Sequence, residues 1–141
     1  MTKKQVLVIL EILQAALVGL LFLPVASDGP APGGASMNAV DLARGYAATG
    51  RTVDAGVYLF FALGCPVVAF LTVFVLRNRR TAVGLTACLS AMDLLVHACF
   101  YTAVKSSFTV GGGYICLIVL SLLAMLLCVY AYLCVELMPG K

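Results

Sequence analysis

The chain is 141 residues long, with room for one domain. Apolar residues make up 63% of it and charged residues 11%, and its mean hydropathy is +1.10. A soluble domain carries about a quarter charged residues to face water, so this composition excludes an ordinary water-soluble globule and points to lipid as the solvent. The net charge of +3 comes from basic residues at the ends of apolar segments and forms no patch, which argues against a nucleic-acid partner.

Four apolar stretches meet the requirement of about 20 residues for crossing the hydrocarbon core. In chain order they predict helices over 5–25, 55–76, 81–104 and 114–135. The expected fold is therefore all-α: a polytopic membrane protein forming a four-transmembrane-helix bundle. The first stretch follows Lys3 and Lys4 and ends at Val25-Ala26-Ser27, imitating a signal peptide with a small-residue cleavage site. Its apolar run is longer than such peptides use and contains Glu11 and Gln14, so it reads as a retained helix.

Between the first two stretches lies a loop over 26–54. Its Asp28–Gly34 half contains two prolines and three glycines and opposes both helix and strand. A short interfacial helix fits 38–48, with Asn38 as cap, Asp41 in the first turn and Gly50 beyond the end.

Basic residues orient the bundle. Lys3, Lys4, Arg77, Arg79, Arg80 and Lys141 fall on one side, Arg44, Arg51 and Lys105 on the other. Six against three places both termini and the Arg-rich turn in the cytoplasm of a cell-membrane protein. Tyr58, Tyr101, Tyr114, Tyr130 and Tyr132 mark the expected interfaces, since tyrosine joins an apolar ring to a hydroxyl that seeks water.

The third stretch carries the most informative pattern. Thr86, Ser90, Asp93, His97 and Tyr101 recur at helical steps and share one face. A carboxylate at mid-bilayer costs about 2.5–3.5 kcal/mol, so Asp93 must turn inward and find partners. A rise of about 1.5 Å per residue puts it roughly 18 Å in, level with Pro66 and Ser121. Pro66 lacks an N–H and frees the Ala62 carbonyl, which predicts a kink and offers an acceptor to Asp93 or His97. This polar cluster is the candidate proton or ion site; its plainer role is a hydrogen-bonded joint between helices. Glu11 with Gln14 forms a secondary polar site nearer the cytoplasm.

Several chemistries have no sequence basis. The single His97 excludes H-E-x-x-H, and G-x-S-x-G and Walker loops do not occur. No two of the six cysteines are spaced C-x-x-C, so they read as packing residues, without a bound metal or cofactor. The expectation is a non-enzymatic accessory, assembly or sensor protein acting through helix contacts, with the bilayer, a second copy or another membrane protein as partner. The alternative is a small oligomeric proton-coupled transporter or channel using the Asp93–His97 pair.

Overall fold

The computed structural model describes residues 2–27, 35–76 and 79–135. The fold is helical, with α1 over Lys3–Leu20, α2 over Ala39–Ala48, α3 over Thr52–Val75, α4 over Arg80–Val104 and α5 over Gly112–Cys134. Three of them (α3, α4 and α5) are long and apolar enough to cross a membrane. Their outward faces are apolar as well: Phe60, Phe74 and Leu133 leave 60–73% of their surface uncovered, as lipid-facing side chains do.

The first helix is shorter than its apolar run. It ends at Leu20, not at residue 25, and its 18 residues include Lys3, Lys4 and Glu11. Pro24 explains the early stop, because proline lacks an N–H and biases the preceding residue toward extended backbone. The chain instead forms strand β1 over Pro24–Ser27, with Pro24 in the first-residue position that a strand tolerates. Strands β2 (Ser36–Asn38) and β3 (Thr109–Val110) flank it in the order β2-β1-β3. Both pairings are antiparallel, Ala26 facing Met37 on one side and Val110 on the other. This small sheet was not foreseen. The expected irregular Asp28–Gly34 segment lies outside the described residues, as do Arg77, Asn78 and Lys141.

The sheet ties the end of α1 to the α4–α5 turn. Gly111 N–H donates to the Val25 carbonyl at 2.8 Å, and Ala39 N–H donates to the Leu21 carbonyl at 3.0 Å. Gly113 approaches the Pro24 carbonyl so closely that a Cβ would collide with it, so only glycine fits there. Helix α2 starts at Asn38, whose side chain accepts from Asp41 N–H at 2.8 Å. Gly50, at φ +94°, takes the left-handed turn that stops it and leads into α3. The C-terminal ends of α1 and α4 and the N-terminal ends of α3 and α5 therefore meet at one end of the bundle, hereafter the loop end. Arg79 and Arg80 mark the opposite end.

Two apolar clusters fill the interior. Toward the loop end Leu17, Leu42, Tyr58, Phe100, Phe108 and Tyr114 pack together. Toward the arginine end Val6, Leu10, Val73, Val83, Cys128 and Ala131 form the second. The buried polar side chains Gln14, Ser90, Asp93, His97 and Ser121 stand between these clusters. Helix α3 passes this level without interruption through Cys65 and Pro66, both buried.

All six cysteines are free thiols, with Cys65 and Cys128 buried and the others exposed. Purified protein should accordingly migrate identically with and without reductant. A reductant-dependent shift abolished by substituting Cys65 or Cys99 would contradict this.

Candidate polar site between the helices

Helical spacing delivers the site. Thr86, Ser90, Asp93 and His97 are all buried on the inner face of α4. Asp93 and His97 are each 1% exposed. Ser121 of α5 donates its hydroxyl to Asp93 Oδ2 at 2.7 Å, so the expected shared depth becomes a direct interhelical bond. Asp93 Oδ1 faces His97 Nε2 at 3.5 Å, and that oxygen is buried without a hydrogen-bond partner.

The other imidazole nitrogen is engaged from α3. Tyr58 Oη lies 3.3 Å from His97 Nδ1. Its ring stacks on Phe100, with centroids 3.8 Å apart and planes within 9°. Tyr114 of α5 donates to the His97 carbonyl at 3.0 Å and presents its ring edgewise to the imidazole. With Asp93 ionised and the imidazole proton on Nε2, Nδ1 accepts from Tyr58 while Nε2 faces Oδ1 across 3.5 Å without closing a hydrogen bond.

Sequence reading placed Tyr58 and Tyr114 at a membrane interface. They are instead 2% and 0% exposed, and both belong to the site. Position along the helices carried the missing signal. Tyr58 is six residues from the loop-end terminus of α3 and His97 seven from that of α4, roughly 9 and 10 Å deep.

The remaining candidates divide. Gln14 donates its amide to Ser90 Oγ at 2.9 Å, fixing α1 to α4 one turn below Asp93. Glu11 is half-buried a turn further along α1. Thr86 spends its hydroxyl on the Ala82 carbonyl of its own helix, at 2.9 Å. Tyr101 touches the edge of the site through the Tyr114 ring, with centroids 5.9 Å apart.

No protein-family model, curated protein or solved structure matches this chain.

Among the described residues, no three His, Cys, Asp or Glu side chains gather as a metal donor set. The chemistry on hand is a hydroxyl, an imidazole and a carboxylate in series. Such an arrangement holds three helices in register and can relay a proton between its members.

A cavity of about 290 Å³ adjoins the site on the loop side, lined by Tyr46, Asp54, Val57, Tyr58, Cys99 and Phe100 among others. Tyr58 thus contributes both to the cavity wall and to the bond with His97.

Proposed function

We propose that the protein is a four-span, non-enzymatic protein of the cell membrane that works through helix contacts, as an accessory, assembly or sensor component. The observation that carries this reading is the sealing of the ionisable pair. Asp93 and His97 direct their polar atoms at Tyr58 and Ser121 on neighbouring helices. An inward carboxylate with such partners is what a bilayer demands of a buried joint. The apolar outer faces of α3 to α5 are suited to lipid, a second copy or another membrane protein.

Helix α1 serves as the fourth span in this reading. It is 18 residues long, about 27 Å at 1.5 Å per residue, close to the thickness of the hydrocarbon core. The β1–β3 pairing supports this by bringing its end level with the loop ends of α4 and α5. Lysines at its start can extend their charged heads to the interface. Both termini and Arg79–Arg80 then lie in the cytoplasm, following the charge bias.

Labelling of single cysteines in intact cells tests the topology. Ser107 and residues near Asp28 should react from outside, and Asn78 and the C-terminus only after permeabilisation. An inside location for the loop that contains α2 would overturn the arrangement. Activity is tested with Asp93→Asn, which keeps size and hydrogen bonding but removes ionisation. It should retain near-normal thermal stability, and liposomes holding wild-type protein should show no sustained proton or ion flux. Wild-type flux that Asp93→Asn abolishes at unchanged stability would replace this reading with a transporter.

A further inference from the structure

We infer that Asp93 Oδ1 is a proton-binding site loaded from the loop end through Tyr58 and His97. The inference rests on the reading of the polar cluster as the working part of the protein, and it gives the sensor version of that reading an input.

Three observations converge. Oδ1 is a polar atom sealed in the protein without a hydrogen-bond partner, while its sister Oδ2 accepts from Ser121 at 2.7 Å. A buried oxygen without a partner is costly, and protonation would turn it into a donor toward Nε2, 3.5 Å away. Second, a path leads outward from that oxygen. His97 Nδ1 lies 3.3 Å from Tyr58 Oη, and Tyr58 lines the cavity bounded by α2, α3 and α4. Third, the opposite direction is mainly apolar. Below the Gln14–Ser90 bond Val6, Leu10, Val73, Val83 and Ala131 are each at most 1% exposed, with the buried Cys128 thiol and the half-buried Glu11 as ionisable groups on that side.

The transfer balances without a further reactant. In the empty state Asp93 is a carboxylate, His97 carries its proton on Nε2, and Tyr58 donates to Nδ1. Loading breaks the Tyr58 O–H bond as Nδ1–H forms, and breaks Nε2–H as Oδ1–H forms. Tyr58 regains a proton from water in the cavity. The net change is one proton taken from solvent. Afterwards Oδ1–H donates to Nε2 and Nδ1–H donates to Tyr58 Oη, so every polar atom named is satisfied. Loading therefore converts a charged joint between α3, α4 and α5 into a neutral one, a local event able to bias helix packing.

Few other charges bear on this site. From α3, Tyr58 and Cys65 lie within electrostatic reach of Asp93; from α5, Tyr114 does. Cys128 of α5 lies beside Ser90, and α1 contributes the neutral Gln14, with Glu11 a turn away. Among the described residues no Lys or Arg is buried. Asp54, the charged residue of the cavity wall, is exposed and 3.4 Å from Arg51.

Infrared difference spectroscopy on the full chain in liposomes tests the inference. A protonated-carboxyl band should appear on acidification, shift with carbon-13 aspartate labelling and vanish in Asp93→Asn. The labelling identifies the band as aspartate in wild-type protein even if the variant folds poorly. Tyr58→Phe should reach the same endpoint but load roughly a hundredfold more slowly after a pH jump, the contribution typical of a positioned proton-transfer group. In oriented liposomes a jump on the loop side should load the site faster than one on the arginine side. No aspartate band, an unchanged rate in Tyr58→Phe, or equal loading from both faces would overturn the inference. Thermal stability of Asp93→Asn is read separately: near-normal stability of the variant, with no titrating aspartate band in the wild-type protein, leaves the helix-contact reading intact and removes the proton site alone.

Discussion

Replacing Asp93 with leucine should destabilise the protein by about 2–3 kcal/mol, whereas asparagine at the same position should cost less than about 1 kcal/mol. Leucine fills the space but removes the acceptor for Ser121 and the partner of His97 Nε2. Ser121 can recover by bonding a carbonyl of its own helix, so most of the loss falls on the imidazole. Removing a buried carboxylate returns part of its desolvation cost, which keeps the effect below that of an ordinary broken ion pair. Asparagine retains an oxygen for Ser121 and turns an N–H toward Nε2, with the His97 proton moved to Nδ1. Denaturation in a detergent mixture, followed by helical circular dichroism, measures both variants. Equal losses for leucine and asparagine would mean that Asp93 acts through its shape and not its hydrogen bonds.

Tyr58→Ala should be the most damaging change on α3, at about 3–5 kcal/mol. It removes the ring stacked on Phe100, cuts the bond to His97 and joins the cavity to the interior. Tyr58→Phe keeps the stack and loses the hydroxyl, for about 0.5–1.5 kcal/mol. Unfolding of the two variants under the same conditions separates ring from hydroxyl. If Tyr58→Phe lost as much as Tyr58→Ala, the aromatic packing would contribute little and the hydroxyl nearly everything.

These sensitivities fall partly on residues legible in the sequence and partly on residues that were not. Asp93, His97 and Ser90 were legible because a charged or strongly polar side chain in an apolar helix must face inward, and helical spacing then names its companions. Ser121 followed from depth, since helices crossing the same slab share one ruler of about 1.5 Å per residue. Tyr58 and Tyr114 were obscured by chemistry, because the same amphipathic side chain suits a headgroup region and a buried hydrogen bond. The bond from the Gln14 amide across to Ser90 was not legible, because sequence does not specify which helices become neighbours. The end of α1 was misread for a different reason. An apolar run of Leu, Phe and Val outweighed Pro24, although proline is the stronger signal for the local backbone. The sheet that follows depends on pairing with Thr109–Val110, more than eighty positions away, which no local pattern reveals.

The central claim is that the Asp93 cluster is an interhelical joint. A double-mutant cycle across Asp93 of α4 and Ser121 of α5, read as unfolding free energy of Asp93→Asn, Ser121→Ala and the double variant, measures that joint directly. Hydrogen bonds between membrane helices average about 0.6 kcal/mol and reach about 1.7 kcal/mol. The 2.7 Å bond to a buried carboxylate belongs at the upper end, so a coupling above about 1 kcal/mol is expected. Additivity to within about 0.3 kcal/mol would contradict the account, because two side chains that pin one helix to another cannot be removed independently.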